Sequence, residues 1–128
     1  MKLNDYFEQK KGIGILATAD AKGIVNVAIY SRPHFIDEET IAFIMADRLT
    51  HKNLETNPYA AFLFKEDGEN YVGKRLYLTK IKEEANSPLI ETLRRKKTYK
   101  MQQSYERETK YLVYFHIDKV LPLIGDGS

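Results

Sequence analysis

Six stretches of the chain either alternate between apolar and polar residues or form short apolar runs, and each has the length of a β-strand. The six predicted strands are residues 13–19, 24–30, 40–46, 59–65, 75–82 and 111–117. Between the first two, Asp20-Ala21-Lys22-Gly23 predicts a hairpin turn in which Gly23 takes a positive φ. Residues 31–35 are expected to continue the second strand through a bend at Pro33, which cannot donate within a central ladder.

The helical patterns are short. Residues 3–11 are predicted to form an amphipathic helix capped by Asn4 or Asp5 and ended by Gly12. Ser87-Pro88 is typical of a helix start, with serine as N-cap and proline at the first position. No element is assigned to residues 98–109. The pattern predicts one mainly β domain, residues 1–128, with six antiparallel strands in a barrel or sandwich and two or three short helices.

The segment between the third and fourth strands carries the candidate chemistry. Thr50 is predicted to cap a helix of about two turns, and Asn57-Pro58 ends it, because a residue before proline avoids the α region. The basic side chains of Arg48, His51 and Lys52 then surround a helix N-terminus, which suits a phosphate group. The alternative is a linker helix whose basic residues are simply solvated.

Composition excludes several classes of protein. The absence of cysteine excludes disulfides, thiolate catalysis and cysteine-ligated metal, and it fits a cytoplasmic protein. A net charge of +2 does not indicate a nucleic-acid partner, and the basic run 94–97 reads as a solvated helix end. No apolar run is long enough to cross a membrane. We expect no metal site, since no closely spaced His/Asp/Glu cluster is evident, and we expect His116 to be a packed side chain.

The order of these elements resembles the pyridoxamine 5'-phosphate oxidase-like family, the FMN-binding split barrels. The likeness is best over residues 13–65. There, Ile15 to Gly23 resembles the opening hairpin of the family, and Thr50-His51-Lys52-Asn53-Leu54 with Asn57-Pro58 resembles its signature helix. Residues 73–78 are similar to the strand that follows. The resemblance implies a six-stranded antiparallel split β-barrel.

The resemblance also implies a homodimer with FMN in the groove between the two chains. The phosphate would lie at the start of the short helix, on Arg48, Thr50, His51 and Lys52. The ring would rest against the second strand, where the residues in reach are Asn26, Ala28, Ile29, Tyr30 and Ser31. Arg75 is a further candidate, directed toward the cofactor of the neighbouring chain. No catalytic side chain is identified.

The chain departs from a true pyridoxamine phosphate oxidase, because it does not carry the extended C-terminal part with its substrate-binding arginine and histidine. We therefore expect an FMN-dependent oxidoreductase that exchanges electrons with a small molecule, with a nicotinamide as one candidate donor. One alternative is a non-catalytic flavin carrier for electron transfer. Another is a split-barrel binding module for a different ligand such as haem, with Tyr30, His34 and His116 as the residues to examine.

Overall fold

The strands form one antiparallel sheet in a computed structural model that describes residues 2–95 and 108–126. The strand order is β2-β1-β5-β6-β7-β4-β3. The strands are β1 (Gly12–Ala19), β2 (Val25–Tyr30), β3 (His34–Phe35), β4 (Thr40–Ala46), β5 (Tyr59–Glu66), β6 (Gly73–Ala85) and β7 (Lys110–Pro122); the helices are α1 (Leu3–Gln9), α2 (Leu49–Thr56) and α3 (Leu89–Arg95). The prediction of a mainly β, antiparallel fold with short helices is confirmed.

The described residues contain seven strands, so the predicted number of six is wrong. Residues 31–35 do not continue β2. Instead, β3 pairs with β4 at the opposite edge of the sheet, through His34↔Ala42 and Phe35↔Ile41. The bend at Pro33 therefore carries the chain from one edge of the sheet to the other.

That crossing requires the sheet to curl. Only residues 31–33 connect the end of β2 to the start of β3, and four residue steps span at most about 14 Å. The two edge strands must therefore approach one another at this point. Tyr30 of β2 also packs against Phe43 of β4, with ring centroids 5.8 Å apart. Because no ladder joins β2 to β3 in residues 2–95 and 108–126, the curled sheet is an unclosed, split barrel.

The inner face of the sheet holds an aromatic core. In β1 the inward positions are Gly14, Leu16 and Thr18, all buried. A side chain at residue 14 would not fit, since an ideal Cβ there would lie 2.5 Å from the Phe62 ring. The largest fully buried side chains are Phe43, Phe62, Phe64 and Phe115. The glycine thus leaves the space that the aromatic core occupies.

The helices depart from prediction at their ends. Helix α1 ends at Gln9, because Lys10 is already extended and Gly12 begins β1. Its N-cap is Lys2, without a side-chain cap bond, so the predicted cap at Asn4 or Asp5 is wrong. At α3 the predicted cap is confirmed: the backbone N–H of Leu89 donates to Ser87 Oγ at 3.2 Å.

The last two strands are longer than predicted, at 13 residues each. Pairing runs from Ala85↔Tyr111 to Lys74↔Pro122, with irregularities after Tyr77 and after Lys80. Residues 120–122, expected to be part of an apolar tail, are therefore strand. Of the unassigned segment 98–109, residues 98–107 lie outside the described residues.

Candidate functional site

Helix α2 packs against the first hairpin, beside β1 and β2. Its N-cap is Arg48, which has an extended backbone and no side-chain cap bond, and whose carbonyl accepts from the Lys52 N–H at 3.0 Å. The prediction of Thr50 as N-cap is wrong, because the helix starts earlier and Thr50 falls within its first turn. The predicted end is confirmed, since Asn57 is extended and precedes Pro58.

A buried polar layer fixes the helix to the hairpin. Asn26 Nδ2 of β2 donates to Thr50 Oγ1 at 3.4 Å. Asn53 Nδ2 donates to Thr18 Oγ1 at 3.1 Å, and both side chains are buried. Burying these polar side chains without hydrogen-bond partners would destabilise the folded state. The layer therefore sets the position of α2 relative to β2.

The predicted phosphate residues lie on two sides of α2. Arg48 and Lys52 are four residues apart and both exposed, so they share the solvent side of the helix start. Arg48 pairs with Glu108 at 2.5 Å, and within residues 2–95 and 108–126 Lys52 Nζ has no hydrogen-bonded or ionic partner. Thr50 and His51 are buried, with 4% and 3% of their surface exposed.

His51 lies between carboxylates. Its Nδ1 is 2.8 Å from Asp47 Oδ1, and its Nε2 is 3.0 Å from both oxygens of Glu83 on β6. The ring stacks on Tyr111 of β7, with centroids 3.9 Å apart. These contacts join the start of α2 to the two long strands.

Glu83 is ionised in this setting. Partial burial acts to raise the pKa of its carboxyl group. Hydrogen bonds from Lys80, at 2.6 Å, and from His51 outweigh that effect and hold the pKa below its ordinary value. Lys80 Nζ also lies 3.4 Å from the carbonyl oxygen of Leu54 in α2.

The predicted ring-binding residues of β2 are divided between the two faces of the sheet. Asn26, Ala28 and Tyr30 are half-buried and point inward, whereas Ile29 is exposed on the outer face. Ser31 follows the strand and is exposed. Since β2 is an edge strand, one side of its backbone has no ladder partner in the described sheet.

Arg75 lies on the outer face of β6, three strands from β2. It shares one row across the sheet with Leu63, Ile15 and Ile29. Its guanidinium donates to the carbonyl oxygens of Pro122, at 2.9 Å, and Gly125. Within one chain, Arg75 is thus held at the C-terminal end of β7 and is separated from α2.

Sequence reasoning missed an exposed apolar strip on the outer face. We define the outer strip as Val25, Val27 and Ile29 of β2 with Ile13 and Ile15 of β1. Val25, Val27 and Ile29 are 78%, 66% and 73% exposed. The signal was present, because β2 has large apolar residues at every second position in addition to the inward set. A strip of this kind on a sheet face marks a contact surface.

The structure differs from the sequence analysis at two groups of histidine and acidic residues. The ligand atoms of Asp47, His51 and Glu55 all lie within 4.8 Å of one another, so a cluster that could hold a metal ion exists. The sequence feature that could have predicted this cluster is the four-residue spacing of Asp47, His51 and Glu55. His116 is not packed: its side chain is 47% exposed, and its Nδ1 is 2.8 Å from Asp118 Oδ1.

No protein-family model matches the chain, and no curated protein matches it by sequence. Solved structures do match. An FMN-binding protein from Syntrophomonas wolfei subsp. wolfei superposes with a TM-score of 0.78 at 18% identity, covering 97% of this chain and 85% of that one. The chain has the split-barrel fold of the FMN-binding proteins.

Two other structures with this fold have different descriptions. A candidate pyridoxamine 5'-phosphate oxidase from Lactobacillus delbrueckii has a TM-score of 0.61 at 16% identity. The match covers 91% of this chain and 88% of the oxidase chain. The haem-storage protein HutZ from Vibrio cholerae has a TM-score of 0.62 at 18% identity, with both chains fully covered. The sequence-based resemblance to the pyridoxamine 5'-phosphate oxidase-like split barrels is thus confirmed for the fold.

No helix among the described residues is long and apolar enough to span a membrane.

Proposed function

We propose that this protein is an FMN-binding flavoprotein of the oxidoreductase class that binds its cofactor at a homodimer interface. The observation that carries the proposal is the Asn26–Thr50 contact, because it joins the start of α2 to the edge strand β2. The chain thereby has a cationic helix start beside an exposed apolar strand. FMN has the matching composition, with a phosphate at one end and a flat ring at the other.

The phosphate end would be held by Lys52 and Arg48. Both are exposed, and no side chain caps the helix, so N–H groups of the first turn remain available to an anion. Thr50 is buried on the other side of the turn, and it contributes by holding the turn to β2 through Asn26. His51 contributes indirectly, since both of its ring nitrogens are engaged by carboxylates and it orients the turn.

The ring end would lie along β2. The free edge of this strand can hydrogen-bond the polar rim of a flavin, and Ile29 with its outer-strip neighbours covers apolar ring surface. Bound FMN supplies the hydride and electron chemistry. The chain itself binds, orients and shields the ring, which agrees with the absence of an identified catalytic side chain.

The second chain would cover the outer strip. Three large apolar side chains of β2 are each at least 66% exposed, which is unfavourable on an isolated surface. A two-fold contact would place the same strip of each chain together. Arg75 lies on this face, which is the side that such a dimer brings toward the other chain.

Lys52→Ala tests the phosphate assignment. Losing one charge-assisted contact is expected to weaken FMN binding by about 2 kcal/mol, roughly 30-fold, while binding of riboflavin, which lacks the phosphate, stays unchanged. Flavin fluorescence titrations of both ligands measure this. Lys22→Ala, at an exposed lysine in the β1–β2 turn, is the matched control. Equal FMN affinity in the two variants would remove the phosphate site from α2.

An electron carrier with the same site is distinguished by turnover. In an oxidoreductase, a nicotinamide or another small donor would reduce the flavin, an acceptor would reoxidise it, and the cycle would repeat. A carrier would exchange electrons without sustained turnover. Stopped-flow absorbance with each nicotinamide separates the two.

Haem is the second candidate, because the HutZ fold matches over the whole chain and His116 is an exposed histidine. Asp118 at Nδ1 is the kind of partner that orients a metal-binding histidine, so His116 is the residue that a haem would take as its axial ligand. The flavin proposal is preferred because the cationic start of α2 suits a phosphate group, which haem lacks.

A further inference from the structure

The face of His51 directed away from Glu83 converges with two carboxylates. His51 Nδ1 lies 2.8 Å from Asp47 Oδ1 and 3.8 Å from Glu55 Oε1. In a tetrahedral site with metal–ligand bonds of about 2.1 Å, ligand atoms are roughly 3.4 Å apart. The three ligand atoms all lie within 4.8 Å of one another, so small side-chain movements would bring them around one small cation. Asp47 lies just before α2, and His51 and Glu55 are four residues apart on one side of the helix.

The ring orientation supplies an independent argument. Nε2 lies 3.0 Å from Glu83, whose carboxylate also binds the Lys80 ammonium group at 2.6 Å. Glu83 can only accept here, so Nε2 carries a proton and donates it. Nδ1 faces Asp47 and Glu55, whose carboxylates are acceptors as well. A cation bound at Nδ1 would take the place of a proton there and satisfy both carboxylates.

The donor on the ring side is rigid before any ion binds. His51 is 3% exposed, and Tyr111 stacks on its ring at 3.9 Å with an interplanar angle of 16°. The Nε2 bond to Glu83 corresponds to the carboxylate that usually orients a metal-binding histidine. Asp47 and Glu55 are half-exposed, with 51% and 56% of their side chains accessible. Solvent can therefore reach the fourth coordination position.

We propose that Asp47, His51 and Glu55 form a divalent cation site of the Zn²⁺ type, with Nδ1 and two carboxylate oxygens as ligands and water at the open position. One imidazole nitrogen with carboxylate oxygens suits Zn²⁺ better than Mg²⁺ or Ca²⁺, which prefer oxygen alone. Two carboxylates balance the charge of the ion. The site does not depend on flavin binding, because none of its three ligands is proposed to contact the cofactor directly.

The test is calorimetric titration of chelator-treated, full-length protein with Zn²⁺. Glu55→Gln is the informative variant, because it removes one ligand charge from a half-exposed position and leaves the His51–Glu83 contact in place. Glu8→Gln, on the exposed side of α1, is the matched control. His116→Ala tests the competing cluster of His116, Asp118 and Glu39.

We expect one Zn²⁺ per chain in the wild type, in Glu8→Gln and in His116→Ala, with binding at least about tenfold weaker in Glu55→Gln. The same ion should raise the thermal midpoint of the wild type and not that of Glu55→Gln. Absence of saturable binding in the wild type would overturn the proposal. Unchanged affinity in Glu55→Gln, or binding lost in His116→Ala, would overturn it equally.

Discussion

At the scale of single residues, His116 has the most clearly acidic surroundings. Its Nδ1 is bound to Asp118, which also accepts from Thr79 Oγ1 at 2.5 Å. The hydrogen bond to Asp118 is the largest cause of a pKa raised above the ordinary value of 6.5, and the negative charges of Asp118 and Glu39 add to it.

This raised pKa predicts a pH-dependent contribution to stability. A group whose pKa is higher in the folded state stabilises the fold fully below its unfolded pKa, and that contribution is lost as the pH rises through the folded pKa. NMR titration of the His116 ring should give a midpoint above 6.5. The midpoint should fall in Asp118→Asn, whereas an exposed substitution such as Glu8→Gln leaves it unchanged. An equal midpoint in wild type and Asp118→Asn would contradict the assignment.

Single-residue chemistry was only partly predictable. The cationic start of α2 was evident from Arg48 and Lys52, because both belong to one local segment. The burial of His51 was not, since its partners Glu83 and Tyr111 come from strands about 30 and 60 residues further along the chain. Local sequence carries no information on such distant pairs. For the same reason the sequence predicts Thr50 as a cap, although its hydroxyl accepts from Asn26 instead.

At the scale of elements, the attachment of α2 to the first hairpin decides whether the proposed site exists. The buried Asn53–Thr18 hydrogen bond is one of the contacts that hold the helix against β1. Asn53→Ala is expected to cost about 1–3 kcal/mol, because it leaves the Thr18 hydroxyl buried and unpaired. Urea denaturation measures the loss.

A double variant separates the hydrogen bond from simple packing. Thr18→Val should by itself cost a similar amount, since it leaves the Asn53 amide unpaired. The two substitutions together should cost less than their sum, because each removes the partner whose loss makes the other expensive. Strictly additive losses would show that the two side chains are not coupled and that α2 is held by other contacts.

Strand positions were predictable where a local apolar pattern marks them, as in β1 and β4, and less so where pairing is non-local. The crossing of residues 31–33 to the opposite edge follows from β3 pairing with β4, and a two-residue strand has no periodicity to detect. The extension of β7 to Pro122 likewise depends on its partner Lys74 in β6.

At the scale of the whole molecule, the outer strip predicts the assembly. Val27 lies at its centre and is 66% exposed in the single chain. Val27→Lys would place two like charges in or near a two-fold contact, so the variant is expected to be a monomer under conditions where the wild type is a dimer. Light scattering coupled to gel filtration measures the mass of each. Thr56→Lys, an exposed position on α2, serves as the charge-matched control.

A monomeric wild type would remove the proposed dimer and the interface part of the cofactor site with it. A dimer that persists in Val27→Lys would move the interface elsewhere on the surface. The sequence alone could not decide this, because exposure of the apolar side of β2 depends on the position of that strand at the edge of the sheet.

Titration of the purified protein with FMN and with riboflavin, followed by flavin fluorescence, tests the central claim most directly. The structure-based account predicts saturation at one FMN per chain, with clearly weaker binding of riboflavin because the Lys52 and Arg48 contacts require the phosphate. Failure to bind FMN, or equal affinity for the two flavins, would contradict it.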